Sequence, residues 1–347
     1  AGKYEMPEVQ FSEGEKAQIQ KLNDNSIDLF NAIKDGEEAP VFISPLSMIM
    51  DMGQLVNVSM KDYSDLLAFT KSTSVDEMNN LFAKVMASTQ YKKKGVEFTI
   101  NNAVFFNSLY QVPAAGKKAV EEYYNSETFV RDFTESQAVL SDISDWIRKK
   151  TKDVLKVDNL EIDKDWQSYV VNALYFKGAW AEKFDSKNTK PEDFTGVTCK
   201  RTVQMMHNYD NYNYCEYGGF EAIELPYGNG DYVMTVMISK SEDRLSPEVM
   251  SGIVSAMKKE YISLGFPKFE TETDISEFPI SLVKFDSFRH VAKINVDEEG
   301  TEAAAVTVIG DGAIAPNAPR ELIFNQPFYY VITQKTTGII LFVGYYC

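Results

Sequence analysis

The spacing of hydrophobic residues changes from a helical period to a strand-like period partway along the chain. Apolar residues recur at helical spacing from Glu15 to Ala32, and residues 137–150 form a second amphipathic stretch. Ser44 is followed by Pro45, which is typical of a helix start, and a capping-box spacing begins another helix at Ser74. The first 150 residues are therefore predicted to be mainly helical.

From Tyr169 onward the apolar residues form short runs separated by turns, which is the pattern of strands. These runs are residues 169–176, 202–206, 212–217, 221–226, 231–239, 262–270 and 322–332. Helices followed by mostly antiparallel strands predict an α+β fold. Because no Pro-, Gly- or Ser-rich linker divides the sequence, we predict a single domain over residues 1–347.

The segment Asp297–Thr307, DEEGTEAAAVT, combines the pattern of a strand with the position of a loop. It follows the strand-like run Val291–Val296 and precedes a stretch rich in glycine and proline at residues 310–319. Alternate residues on one face are small: Thr301, Ala303, Ala305 and Thr307. A loop whose first half has this pattern is a candidate for insertion into a sheet, starting from an exposed position.

This segment resembles the hinge of the serpins, a family of protease inhibitors whose reactive loop inserts into their own central sheet. Eight further motifs follow in the family's order: Phe42–Ser47, Asn101–Phe105, Ile143–Trp146, Val171–Trp180, Val203–Met206, Glu224–Tyr227, Phe266–Phe269 and Leu341–Gly344. The resemblance runs from about residue 25 to the C-terminus and so covers almost the whole chain.

The resemblance implies a serpin fold with three β-sheets, roughly nine helices and an exposed reactive-centre loop at about residues 298–321. The implied hinge comprises Glu299, Gly300, Thr301, Glu302, Ala303, Ala304, Ala305 and Thr307. The implied shutter, a polar cluster beneath the central sheet, comprises Ser44, Ser47, Asn172 and His290. Trp180 corresponds to the breach tryptophan at the top of that sheet.

His290 has two interpretations at this stage. It is either a core histidine hydrogen-bonded within the sheet or a shutter residue, and both predict satisfied hydrogen bonds. All four shutter positions match together, which favours the shutter role. Asp51 and Gln54 depart from the family pattern, because small apolar residues are usual at these positions of the buried helix, and Asp153 replaces a common glycine.

The resemblance implies a suicide-substrate mechanism, in which a protease cleaves the loop, forms an acyl-enzyme and is carried across the sheet as the hinge inserts. Ile314 stands fourteen residues after Gly300, so the implied reactive bond joins Ile314 and Ala315, with Ala313–Ile314 as the runner-up. These side chains favour an elastase-like serine protease, and a papain-like cysteine protease stays open if Ile314 fills its second subsite. Cleavage after Arg320 by a trypsin-like enzyme is expected to be substrate turnover.

Serpins divide between inhibitors and members that carry, chaperone or signal without inhibiting. Insertion of a strand requires small inward side chains, because a close-packed core has no spare volume. No proline, which removes a ladder hydrogen bond, lies between Glu298 and Ala315. The hinge is therefore that of an inhibitor, and a non-inhibitory binding or chaperone protein is the alternative.

Charge and motif content restrict the other functions. The net charge of −16 argues against nucleic acid and anionic membranes as partners, since phosphate binding needs clustered Lys and Arg. The basic run Lys92–Lys94 is expected to be a solvated turn. Some serpins are activated by glycosaminoglycans through a basic helix in this part of the chain, but here the region is too acidic for us to expect that. Only two histidines are present, and no GxSxG, HExxH or phosphate-binding motif accompanies them. We therefore expect a monomer with no catalytic activity, metal or cofactor, whose partner is a protease.

The cysteines suggest a reducing compartment. Cys199, Cys215 and Cys347 are odd in number and lack metal-ligand spacing, which argues against a disulfide framework, with a Cys199–Cys215 bond as the minor alternative. The sequon at Asn57 ends a predicted buried helix, so we expect it to be there by chance. We expect a cytoplasmic protein or one released without a visible signal peptide, and an extracellular location stays open because the chain begins at Ala1.

Overall fold

The computed structural model describes residues 9–35, 39–59, 61–89, 95–157, 159–241, 244–276, 289–301 and 319–347. The α-helices are α1 (Glu13–Lys34), α2 (Pro45–Val58), α3 (Val75–Thr89), α4 (Ala114–Tyr124), α5 (Ser136–Lys150) and α6 (Pro247–Ala256). Ser64–Thr70 and Ser186–Asn188 form 3-10 helices. The described ranges thus hold six α-helices and two 3-10 helices, fewer than the roughly nine that the resemblance implied.

The strands occupy most of the second half of the chain. They are β1 (Val41–Ile43), β2 (Val96–Asn107), β3 (Glu127–Arg131), β4 (Ser168–Ala179), β5 (Lys190–Thr195), β6 (Lys200–Tyr217), β7 (Phe220–Tyr227), β8 (Tyr232–Ser239), β9 (Lys258–Pro267), β10 (Phe269–Ile275), β11 (His290–Val296), β12 (Gly300–Thr301), β13 (Arg320–Ile323), β14 (Phe328–Gln334) and β15 (Ile340–Tyr346). Together with the helices they form the predicted α+β fold.

The first 150 residues are mainly helical, as predicted, but strands β2 and β3 also lie there and were not predicted. Buried residues alternate at Val96, Phe98 and Ile100, but every residue from Asn102 to Asn107 is buried. A continuous buried run does not distinguish a strand from a buried helix by periodicity alone. The sequence pattern therefore missed a strand that the tertiary structure imposes.

The central sheet has six strands in the order β10-β11-β12-β4-β2-β3. Helix α5 covers one face, where Trp146 and Ile147 pack in a cluster with Val171 and Ala173 of β4. Helix α2 covers the opposite face and contributes to the main core. A strand added to the middle of this sheet would therefore meet protein on both faces.

The second sheet joins two of the three sheets that the resemblance implied. Its strands follow the order β1-β15-β14-β8-β7-β6-β9-β13, with β5 also paired to β6. The 18-residue strand β6 pairs with β5 and β9 over most of its length and with β7 at its end. Among the described residues there are consequently two hydrogen-bonded sheets, because one long strand runs through both regions.

The predicted helix starts are confirmed. The Ser44 side chain accepts a hydrogen bond from Ser47 N, and Pro45 is the first residue of α2. Glu77 N donates to Ser74 Oγ at 3.1 Å before α3. These caps satisfy backbone donors that have no partner within the helix.

Three features of the sequence acquire a structural context. None of the described helices is long and apolar enough to cross a membrane. All three cysteines are free thiols, so the Cys199–Cys215 bond is not formed. The Asn57 amide donates to Gly53 O and to Asn79 Oδ1, both at 2.8 Å, and so takes part in helix packing.

Candidate functional site

The central sheet contains a gap between strands β4 and β11. The two-residue strand β12 pairs with both of them, through Gly300 opposite Ala179 and Thr301 opposite Gly178 and Val296. Below β12, within the described parts of the chain, β4 and β11 form no ladder with each other. A cavity of about 50 Å³ lies there, bordered by Asn172, Leu174 and Phe176 of β4 and by Ala292 and Ile294 of β11.

Gly300 allows the chain to approach the edge of β4. Its φ angle is +145°, which side chains rarely adopt, and a Cβ atom there would lie 2.0 Å from the carbonyl oxygen of Gly178. The Gly178 oxygen is a backbone atom, so it cannot move away by a side-chain rotation and the clash would remain. A glycine is required where the hinge begins.

Thr301 is buried, with 4% of its surface exposed, which corrects the expectation that the hinge starts from an exposed position. Its hydroxyl forms a 2.7 Å hydrogen bond with the hydroxyl of Tyr227. Trp180 stacks on the Tyr227 ring with centroids 4.5 Å apart, and its Nε1 donates to Asp297 O at 2.9 Å. Trp180, predicted at the top of the sheet, thus holds the turn that begins the hinge.

Glu298 and Glu299, in the turn before Gly300, form side-chain contacts with neighbouring segments. Lys268 Nζ lies 2.6 Å from Glu298 Oε2, and Thr189 Oγ1 donates to Glu298 Oε1 at 2.8 Å. Burial raises the pKa of Glu298, but these two hydrogen bonds, a backbone hydrogen bond and the charge of Lys268 together lower it below its usual value. Glu299 forms an ion pair with Lys183. The start of the loop is therefore anchored by charge as well as by strand pairing.

The four shutter residues predicted from the sequence lie in one hydrogen-bonded cluster. Ser44 N donates to His290 Nε2 at 3.1 Å, and Ser44 Oγ donates to Leu341 O at 2.8 Å. Ser47 Oγ donates to Asn172 Oδ1 at 2.6 Å, and Ser47 N donates to Ser44 Oγ at 3.3 Å. Helix α2 thereby connects β4 to β11 beneath the gap. Both interpretations of His290 required such satisfied contacts.

The cluster extends further than the sequence indicated. Asn172 Nδ2 donates to Asn102 Oδ1, and Gln54 Nε2 reaches the same oxygen at 3.3 Å. Ser126 Oγ donates to Gln54 Oε1 at 2.5 Å. The available signal was an amide in an otherwise apolar strand and a glutamine in an otherwise apolar helix. Gln54, noted as a departure from the family pattern, has a defined role in the network.

His290 is neutral at physiological pH. Burial lowers its pKa to about 4, and Asp274 acts weakly in the opposite direction. Because Nε2 accepts from Ser44 N, any proton of the neutral ring is on Nδ1. The imidazole is thus an acceptor toward α2.

The remaining predicted site residues lie outside the described ranges. These are Glu302, Ala303, Ala304, Ala305, Thr307, Ile314 and Ala315. Their assignments stay predictions.

The far end of the predicted loop is anchored at Arg320, the first residue of β13. Its guanidinium lies 2.6 Å from Glu260 Oε1 and 2.8 Å from Glu216 Oε1, and it stacks on the ring of Tyr214 at 4.9 Å. β13 pairs in parallel with β9. A trypsin-like enzyme would have to displace these contacts before it could take Arg320 into its specificity pocket.

Comparison with known proteins decides the family. The sequence profile described as "Serpin (serine protease inhibitor)" matches residues 20–280 and 273–347. The chain belongs to the serpin family. Human Serpin B4 is 28% identical over 375 residues, which cover 91% of this chain and 95% of that protein.

Solved serpin structures confirm the fold. The thermophilic serpin tengpin in its native state superposes with a TM-score of 0.84 at 22% identity, covering 98% of this chain and 95% of that one. Human thyroxine-binding globulin complexed with thyroxine also gives a TM-score of 0.84, at 19% identity, covering 96% of this chain and 98% of that one. Identities this low support the fold alone.

His290→Gln is expected to flatten the pH dependence of the free energy of unfolding. An unfolded histidine has a pKa of about 6.5, so between about pH 6.5 and 4 the unfolded state binds one more proton and the folded state loses stability as pH falls. Glutamine keeps an acceptor for Ser44 but does not titrate. Denaturant titrations of uncut protein from pH 7 to 4 should show a loss smaller by on the order of 3 kcal/mol in the variant. Parallel pH curves for the two proteins would contradict the assignment.

Proposed function

We propose that this serpin is a suicide-substrate protease inhibitor. The observation that carries the proposal is the position of Gly300 and Thr301, which already form a strand between β4 and β11. The hinge therefore points along the gap that its following residues would fill. The residues after Thr301 could continue the pairing with β4 and β11 in the direction that β12 has begun.

The register of β12 supports this function when it is extended by two-residue steps. Since Thr301 lies opposite Gly178 and Val296, Ala303 would lie between Phe176 and Ile294. By the same steps, Ala305 would lie between Leu174 and Ala292, and Thr307 between Asn172 and His290. The two apolar levels receive alanines, whereas the polar shutter level receives a threonine.

Insertion supplies the free energy for trapping. The edges of β4 and β11 offer roughly ten additional backbone hydrogen bonds, and each contributes about 1 kcal/mol net, which gives on the order of 10 kcal/mol. A gain of this size is comparable to the total stability of a domain. The uncut protein would hold this free energy in reserve.

In the proposed reaction the protease serine hydroxyl attacks the carbonyl carbon of Ile314. The peptide bond to Ala315 breaks, the new amino group of Ala315 leaves with the proton, and Ile314 remains as an ester on the protease. Residues from Glu302 onward then insert and carry the protease along the sheet. Hydrolysis of the ester fails because the catalytic geometry of the protease, which must hold to within about an ångström, is distorted.

The aliphatic residues at the proposed bond favour an elastase-like serine protease, and a papain-like cysteine protease remains the second target class. The similarity to thyroxine-binding globulin favours a second candidate function, a serpin that binds a ligand without inhibiting a protease. The two candidates differ in whether cleavage leads to a trapped complex.

An elastase-type protease should form a detergent-stable complex with this serpin and release a fragment that begins at Ala315, with a minor product at Ile314. Gel electrophoresis after denaturation and N-terminal sequencing of the fragment measure both. A fragment beginning at Glu321, together with a stable complex with a trypsin-like enzyme, would show that the reactive bond is elsewhere.

Ala303→Arg should abolish complex formation, whereas Ala304→Arg should retain it. The register places residue 303 against Phe176 and Ile294, where an unpaired cation is costly to bury. Residue 304 would lie on the opposite face across from Lys293, which is partly exposed and paired with the exposed Glu270 and Glu272, so an arginine there can keep its charge in solvent. Thr301 is less suitable for this test because it is already buried in the uncut protein. Complex yield should fall at least tenfold for the inward variant, and equal yields would count against insertion.

Cleavage anywhere between Val308 and Asn317 should raise the melting temperature. The cut chain gains a strand in the central sheet, while a nick in an ordinary loop only increases chain entropy. We expect an upward shift of more than about 10 °C, since on the order of 10 kcal/mol at about 2–4 °C per kcal/mol gives tens of degrees. Calorimetry of intact and nicked protein checks this. If the nicked protein melts at or below the intact midpoint, the loop does not insert and the non-inhibitory function replaces this proposal.

A further inference from the structure

A second and larger cavity lies beneath the lower end of the central sheet. Its volume is about 300 Å³, and it is bordered by α2 and the residues after it, by the chain from Ile147 to Asn172 including the start of β4, and by Arg289, His290 and Val291 at the start of β11. Somewhat more than half of its lining is apolar, including Met52, Leu55, Ile147, Leu155 and Trp166. Small-molecule sites in proteins have a comparable size, with apolar walls that hold the ligand and polar groups that fix its orientation.

Asp51 places a carboxyl group in the wall of this cavity. Its Oδ1 accepts one long hydrogen bond, 3.3 Å, from Gln54 Nε2. Gln54 is shared with Asn102 and Ser126, so it compensates the carboxyl group weakly. No other partner of the Asp51 carboxyl group is found in the part of the chain that the structure describes. Burial raises the pKa of Asp51 well above its usual range, and no cation offsets this effect.

The other charged residues of the cavity do not neutralise Asp51. Arg289 is bound to both carboxylate oxygens of Asp274 and donates to Asn159 O at 2.6 Å. Lys61 and Asp165 are exposed and so lie toward the outer edge. The interior therefore combines an apolar wall with a single negative group that lacks a counter-charge.

We propose that this cavity binds a small apolar molecule that carries a protonated amine, with the ammonium group on the Asp51 carboxylate. The aromatic and aliphatic walls take the body of the ligand, while the ammonium group donates the hydrogen bonds that the carboxylate lacks. A buried charge is tolerated when it is paired and hydrogen-bonded, and the ligand provides both. The proposal does not depend on protease inhibition.

The proposal also predicts the direction in which affinity changes with pH. In the empty cavity the raised pKa keeps Asp51 protonated to a higher pH than an exposed aspartate, so an ammonium ligand must displace that proton. Affinity should rise with pH until Asp51 is ionised in the free protein. The other titratable groups of the cavity are His290, Tyr169 and Tyr63, besides Lys61, Asp165 and Arg289. His290, with a pKa of about 4, stays neutral through this range.

Isothermal titration of the uncut full-length protein with tryptamine, and with its neutral analogue tryptophol, tests the site. Tryptamine should bind at least about tenfold more tightly than tryptophol, with an affinity that rises with pH. Asp51→Asn, a nearly isosteric change, should remove both the tenfold preference and the pH dependence while leaving tryptophol binding unchanged. Leu55→Trp, one helical turn further along α2, should fill the cavity and abolish binding of both compounds.

Several outcomes overturn the proposal. These are equal affinities for the two compounds, an Asp51→Asn variant that keeps the preference for tryptamine, or no binding at millimolar concentration. Because the titration measures binding to uncut protein, none of these results bears on whether the loop traps a protease. The complex-formation assay addresses that separately.

Discussion

The unmade hydrogen-bond ladder between β4 and β11 is the constraint on which the rest of the structure depends. Parallel strands at the centre of a sheet ordinarily satisfy each other's backbone groups, and in the described residues these two meet only through Gly300 and Thr301. Because α2 and α5 cover the two faces, a new strand has one way in, along the line that β12 has begun. The side chains of that strand must then match the level of the core that each one reaches.

The polar cluster under the gap follows from the same constraint. If a strand is to enter between β4 and β11, the residues beneath the gap must be stable both before and after it enters. Apolar residues there would favour direct packing of β4 against β11. Ser44 and Ser47 at the start of α2 instead bind β11 and β4 separately, through His290 and Asn172. Each residue of this cluster makes at least one hydrogen bond within it, which favours tolerating these polar side chains in a core. Asp51, one turn further along α2, has only the long hydrogen bond from Gln54 and lines the second cavity.

The sequence predicted which residues form the site better than it predicted whether they are buried or already paired. Ser44, Ser47, Asn172 and His290 lie far apart in the chain, and only the family resemblance brought them together. The period-2 pattern of the hinge predicted a strand, but no local pattern shows whether a strand is already paired, so the burial of Thr301 was missed. The cavity at Asp51 was out of reach for a related reason. It is bordered by three stretches distant in sequence, residues 48–63, 147–172 and 289–291, and its volume depends on how they pack.

The two anchored ends of the loop set a geometric limit on the uncut chain. Eighteen residues, 302 to 319, run as a tether between Thr301 in the central sheet and Arg320 in the second sheet. Because both ends of this segment are fixed, every residue that enters the gap requires others to lead the chain back to Arg320. Fewer than half of the eighteen residues can therefore lie in the gap at once. Full insertion therefore requires that one end be released. Under the proposed function, cleavage of the Ile314–Ala315 bond would release one end, whereas the alternative is to pull Arg320 away from Glu216, Glu260 and Tyr214. Under the proposed function, the strength of the contacts at Arg320, as well as the gap itself, would set how long the uncut protein keeps the free energy of insertion.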